Sequence, residues 1–79
     1  MQTIITLAQD FDYFQLYKGD QIIVDHEAYP KTGDIVISEF EGDFRPHRFE
    51  RPNSVASIWP PHDSKRGLDD IIFGVAIRV

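Results

Sequence analysis

The chain has 79 residues, with 8 Lys and Arg against 13 Asp and Glu for a formal net charge of −5. That length suits one small domain, and the acidic balance argues against general affinity for DNA or RNA, because neutralising phosphates takes an excess of Lys and Arg. There is no cysteine, which excludes a disulfide framework, a thiolate metal site and a cysteine nucleophile together.

At 42% hydrophobic the chain can bury a core, although a small one. A domain of this size buries only roughly 60% of the surface its unfolded form exposes, which makes oligomerisation a natural remedy. No apolar run approaches the roughly 20 residues needed to span a bilayer, and the N-terminal segment from Met1 to Leu7 carries no basic region of a secretory signal. The expectation is a cytoplasmic protein with no membrane contact.

Thr3 to Ala8 is rich in β-branched residues and predicts a first strand. The aromatics of Phe11 to Tyr17 do not alternate cleanly, so an irregular loop or short turn is expected there, packing Phe14 and Leu16 inward. Gly19-Asp20 then feeds a second strand, Gln21 to Asp25. His26 to Pro30 ends it, since proline cannot continue a ladder and biases Tyr29 toward extended backbone.

A second Gly-Asp pair, Gly33-Asp34, leads into Ile35 to Phe40. Glu41-Gly42-Asp43 is a tight reversal into Phe44 to Phe49, which predicts a hairpin. Pro46 has no N–H, so its arm is expected at an edge or bulged at that point. Val55 to Trp59 is apolar enough for another strand, and Pro60 to Gly67 is turn chemistry throughout. Ile71 to Val79, the most hydrophobic run, predicts a central core strand. Strict alternation would place Ile71, Phe73, Val75, Ile77 and Val79 on one face and Ile72, Gly74, Ala76 and Arg78 on the other. No segment sustains a helical period, so the chain reads as a single, mostly β domain over residues 1–79. The two Gly-Asp units are too short, and too differently followed, to be duplicated modules.

Taken in order, Gly19 to Asp25, Gly33 to Ile37, the hairpin with Arg48-Phe49, Ile58-Trp59-Pro60 and Ile72 to Arg78 resemble the C-terminal domain of the LexA-like self-cleaving proteins. That family includes the SOS repressor, phage repressors and the UmuD subunit of the mutagenic polymerase. The resemblance runs from about Thr3 to Val79 and implies a small, bent, mostly antiparallel sheet that usually dimerises. In that family a serine nine residues before the first Gly-Asp glycine attacks the chain, activated by a lysine placed just before an Arg-apolar pair on the hairpin's return arm. Here those positions hold Asp10 and His47, so the resemblance implies a degenerate dyad and a loss of self-cleavage. The family's cleavage site and the repressors' helix-turn-helix domain have no counterpart before Asp10.

The resemblance thus implies a catalytically inactive domain that acts by binding protein. Expected partners are a second copy of itself, a LexA-like repressor or an SOS polymerase component, in phage, prophage or SOS regulation. No cofactor is expected. The small, flat face of Ile72, Gly74, Ala76 and Arg78 is the expected dimer interface, and Arg45, Arg48 and Arg51 are the expected contacts to an acidic partner. On a strand, Arg45 and His47 should share one face while Arg48 takes the other. Two other functions remain open: a small hydrolase in which Asp10 and His47 face one another as an acid-base pair, and a structural or assembly protein of a phage. His26, His47 and His62 lack the short spacings of a zinc site, so metal binding is not expected. The aromatics Phe11, Tyr13, Phe14 and Tyr17 are expected in the core, or partly coating an exposed face.

Overall fold

The computed structural model describes residues 1–62 and 67–77. Six strands, β1 (Gln2–Thr6), β2 (Gln21–Asp25), β3 (Ile35–Phe40), β4 (Asp43–Glu50), β5 (Ser57–Trp59) and β6 (Ile72–Ile77), form one sheet in the order β1-β2-β6-β3-β4-β5. Every neighbouring pair is antiparallel. The fold is therefore mostly β, as the alternating patterns require, with an open sheet whose edges are β1 and β5. A 3₁₀ turn at Asp12–Phe14 and one helical turn at Leu68–Ile71 complete it. Ile71 thus ends the helical turn and does not start the last strand, which begins at Ile72.

Both Gly-Asp units build the same turn. Asp20 N–H donates to Tyr17 O at 2.9 Å and Asp34 N–H to Lys31 O at 2.9 Å, with the glycine third in the turn at φ 92° (Gly19) and 95° (Gly33). In each, the aspartate side chain folds back to accept the N–H of the turn's first residue, Tyr17 at 2.9 Å and Lys31 at 2.8 Å. Positive φ suits glycine, and the Asx-type bond satisfies a donor that the ladder leaves over. The first turn delivers the chain into β2, whose alternate residues Ile22 and Val24 enter the core, and the second into β3, which buries Val36, Ile37 and Ser38 in succession.

The β3–β4 hairpin closes through Glu41-Gly42, both at positive φ (53° and 83°), with Phe40 opposite Asp43. A two-residue turn of this kind matches the twist of the strands it joins. It also dictates which pairs are hydrogen-bonded: counting from Phe40 and Asp43, Ser38 with Arg45 and Val36 with His47 are bonded pairs, and Ile37 with Pro46 is not. The nitrogen of Pro46 therefore points away from β3, where its missing N–H costs no ladder bond.

The same count explains where β5 stops. β5 pairs with β4 at Arg48–Trp59, Phe49–Ile58 and Glu50–Ser57. The next bonded pair along that register is Pro46 with Pro61, two residues with no N–H between them, so the ladder ends after Trp59. The Trp59–Pro60 peptide is cis.

Apolar side chains gather in two clusters. Ile5, Leu7, Ile22, Val24 and Ile37 form one, with Phe11, Leu16, Ile35, Phe44, Phe73 and Ala76 packed against it. Val36, Phe49, Ile58 and Ile71 form the other, joined by Ala56, Leu68, Ile72 and Val75. Neighbours on β3 such as Val36 and Ile37 divide between them, as successive strand residues must.

The last strand does not alternate as expected. Opposite β3, Ile37 faces Gly74 but Ser38 faces Ile72, so Phe73 is an extra residue in a β-bulge. Ile72 consequently packs in the cluster of Val36, whereas Phe73 and Ala76 pack in the cluster of Val24. The proposed dimer face of Ile72, Gly74, Ala76 and Arg78 is corrected on this ground: Ile72 is separated from Ala76 by the bulge, and Arg78 lies outside the described residues. Gly74 does permit a close approach, but by its own chain. A Cβ there would lie 2.5 Å from Val24 Cγ1 and 2.7 Å from the carbonyl oxygen of Asp25.

Candidate functional site

His47 and Ser38 lie on the paired strands β4 and β3, each two positions from the other's register partner, and are 3% and 1% exposed. Ser38 Oγ is 2.8 Å from His47 Nε2, and His47 Nδ1 is 2.6 Å from the carbonyl oxygen of Pro60. A carbonyl can only accept, so Nδ1 carries the ring proton. In the neutral ring Nε2 then accepts from the Ser38 hydroxyl. Burial is the main influence lowering the pKa of His47; nearby His62 and Arg45 add to it, and the bond to Pro60 opposes it. A neutral, singly protonated imidazole is the form this setting favours.

A serine hydroxyl donating to a histidine whose far nitrogen is oriented by a third group is the geometry of an activated nucleophile. The setting differs from that of an accessible one. Beside His47, a cavity of about 350 Å³ is lined by Phe11, Phe40, Pro46, Pro60 and His62, and Ser38 is not part of its wall. The hydroxyl is turned into the sheet, where it also lies 3.4 Å from the carbonyl oxygen of Arg45. His26 repeats the arrangement elsewhere in the sheet: Nδ1 is 3.0 Å from Phe73 O and Nε2 is 2.6 Å from Thr3 Oγ1. Twice, then, a histidine ties a hydroxyl to a backbone carbonyl, and at His26 the link staples β1 to the bulge of β6.

Asp10 and His47 do not pair. The exposed Asp10 carboxylate accepts the Lys18 N–H at 2.9 Å and pins the base of the Phe11–Leu16 loop. Both nitrogens of His47 are taken by Ser38 and Pro60. The acid-base pair left open for these two residues is not formed, and His47 instead meets Ser38, a serine-histidine pair that sequence reasoning missed. Its signal lies in the hairpin: with Glu41-Gly42 as a two-residue turn, Ser38 falls opposite Arg45, two positions from His47 and on the same face.

The three arginines do not form a patch. Arg45 Nε donates to Asp43 Oδ2 at 2.7 Å. Arg48 is opposite Ile35, on the other face from Arg45, as alternation predicts. Its Nε is 3.0 Å from Glu50 Oε1, but the N–H is not directed at that oxygen, so the two form an ion pair without a hydrogen bond. Arg51 is exposed, and its backbone N–H donates to Thr32 Oγ1 at 3.0 Å. His47 and His62 approach to 6.1 Å between ring centroids, closer than their sequence separation suggests. Among the described residues no three His, Asp or Glu side chains gather as metal ligands.

A second feature lies across β4. Tyr13 and Trp59, 57% and 46% exposed, meet with ring centroids 4.5 Å apart, and the Arg48 guanidinium carbon stands 6.0 Å from the Tyr13 ring centre. Phe14 meets Tyr13 edge-on at 5.1 Å. This cluster borders an open groove of about 860 Å³ with Ile22, Ile35 and Ala76 among its apolar walls and Gln21 and Asp34 among its polar ones. Of the four loop aromatics, Phe11 joins the core and Tyr13 and Tyr17 are exposed. No helix among the described residues is long and apolar enough to cross a membrane.

Comparison with known proteins yields no relative: no protein-family model, no curated protein and no solved structure matches the chain.

Proposed function

We propose that this chain is a non-catalytic β-domain of the LexA/UmuD-like type that acts by binding another protein. The observation that carries the reading is the exposed Tyr13–Trp59 pair with Arg48 beside it, on the rim of an open groove with both apolar and polar walls. Tyr, Trp and Arg are the side chains that most often concentrate binding energy at protein interfaces. Three elements distant in sequence, the Phe11–Leu16 loop, β4 and β5, bring them together. The positions of the family's serine and lysine hold a loop-pinning aspartate, Asp10, and a buried histidine, His47, which supports binding over self-cleavage. A LexA-like repressor or an SOS polymerase component, in a phage or prophage setting, fits the resemblance.

The test is titration of the purified chain into a purified LexA-like repressor C-terminal domain and into an UmuD-like subunit, followed by calorimetry. Binding to either is expected, with Trp59→Ala and Tyr13→Ala each weakening it about tenfold or more, the loss typical of interface anchors. Absence of binding to both, or affinity indifferent to both substitutions, overturns the proposal.

The 2.8 Å contact between Ser38 and His47 favours a second reading, a small hydrolase using that pair in place of Asp10 and His47. A fluorophosphonate probe separates the two functions. Covalent labelling of Ser38 that is lost in His47→Gln would establish the hydrolase; an unlabelled chain of unchanged mass after incubation at raised pH supports the binding domain.

A further inference from the structure

The two edges of the sheet are built differently. The β5 edge is three residues long and is cut short by Pro60 and Pro61. β1 has five residues, Gln2-Thr3-Ile4-Ile5-Thr6, with no charge, no proline and no bulge. Edge strands normally carry one of those devices against pairing with another chain. Here the unprotected edge also exposes Ile4, at 62% of its surface.

Hydrogen bonding along β1 alternates. Leu7 N–H donates to Asp20 O, and His26 N–H donates to Met1 O, at the two ends of the strand. Counting inward from either end, Thr3 with Val24 and Ile5 with Ile22 are the bonded pairs with β2. The N–H and C=O groups of Gln2, Ile4 and Thr6 therefore point outward, away from β2, and all three residues are exposed.

We propose that β1 pairs antiparallel with β1 of a second copy of this chain, about a two-fold axis at Ile4. With Ile4 opposite Ile4 of the other copy, Gln2 falls opposite Thr6 and Thr6 opposite Gln2. Each of these is a bonded pair between outward-facing residues, so all the outward amides and carbonyls of both strands find partners. Shifting the register by one residue sets outward groups against inward ones, and shifting by two leaves groups unpaired, which makes the Ile4-centred register the complete solution. The arrangement joins two six-stranded sheets into one. It also continues the row of register partners Ile77, Ile23 and Ile4 across the axis, placing the exposed Ile4 side chains together. The strand itself carries no charged side chain to oppose the pairing. A pairing of this size is smaller than most obligate interfaces, so association depends on concentration. It uses a surface remote from Tyr13 and Trp59 and does not rest on the proposed function.

Sedimentation over a concentration series tests it, together with amide hydrogen exchange. The wild-type chain is expected to move toward twice its mass of 9.1 kDa as concentration rises. The amides of Gln2, Ile4 and Thr6 should exchange more slowly at high concentration, while those of Thr3 and Ile5 are protected at all concentrations. Ile4→Pro removes an outward N–H and no intramolecular bond, so it should remain folded and monomeric. Ile4→Lys, which keeps the N–H but sets two charges against each other at the axis, should do the same. A chain that stays monomeric at every concentration, or a dimer indifferent to both substitutions, overturns the proposal.

Discussion

The hydroxyl of Ser38 and Nε2 of His47, 2.8 Å apart and both buried, join β3 to β4 from side chain to side chain within a hairpin already joined by its backbone. His47 passes the link on to Pro60, so one buried imidazole fixes the path of the chain just beyond β5.

Stability should fall as the solution is acidified through the histidine range. Burial, reinforced by His62 and Arg45, lowers the pKa of His47 in the folded state below its unfolded value of about 6.5. Between the two values the unfolded chain binds more protons, so the stabilisation is fully present above the unfolded pKa and is lost as pH falls toward the folded one. Urea midpoints measured between pH 7.5 and 5.5 should decrease (a window of about two units above most carboxylate titration), and His47→Gln should flatten that slope.

Replacing Ser38 by Ala leaves Nε2 of His47 as a buried acceptor with nothing to accept. A loss of about 1–3 kcal/mol is expected from that unsatisfied group. Because the two residues share one bond, the double change of Ser38→Ala with His47→Leu should cost less than the sum of the single changes in denaturant titrations.

Gly74→Ala should be among the most damaging single-methyl additions in the chain. The new Cβ would meet the Val24 side chain and the backbone of Asp25, and a backbone oxygen in a paired strand has no room to retreat. The cost expected is about 1–3 kcal/mol or more. Adding Val24→Ala should recover little of it, since the contact with Asp25 persists; thermal unfolding of the three variants decides this.

Glu41 carries positive φ without the side chain that favours it. Glu41→Asn produces the Asn-Gly pair preferred in such two-residue turns and should stabilise the hairpin by up to about 1 kcal/mol. For a chain of this length that amounts to a rise of roughly 4–8 °C in Tm.

Much of the sheet was legible because its signals are local. The Gly-Asp pairs mark turns, and the β-branched runs after them are β2 and β3 within a residue of their observed ends. Even β5 is foreshadowed by Pro60 and Pro61, although the expected start at Val55 proved two residues early. The last strand was legible as a central element but not in its facing. Alternation places Ile72 with Gly74 and Ala76, and nothing local to Phe73 announces the bulge that parts them; it lies in the first half of β6, opposite β3 and ahead of the residues that pair with β2.

The candidate site divides in the same way. Sequence alone determined that no serine precedes Ser38, that no thiol exists, and that alternating strands would make the domain. Only the tertiary structure decided what His47 touches. Its partners, Ser38 and the Pro60 carbonyl, are set by cross-strand register and by the chain's turn after Trp59. A residue type reports what a side chain can donate or accept, but pairing is chosen by which backbones lie side by side. For the same reason the open edge of β1, invisible in a run of Thr and Ile, emerged only once β2 was seen to occupy its other side.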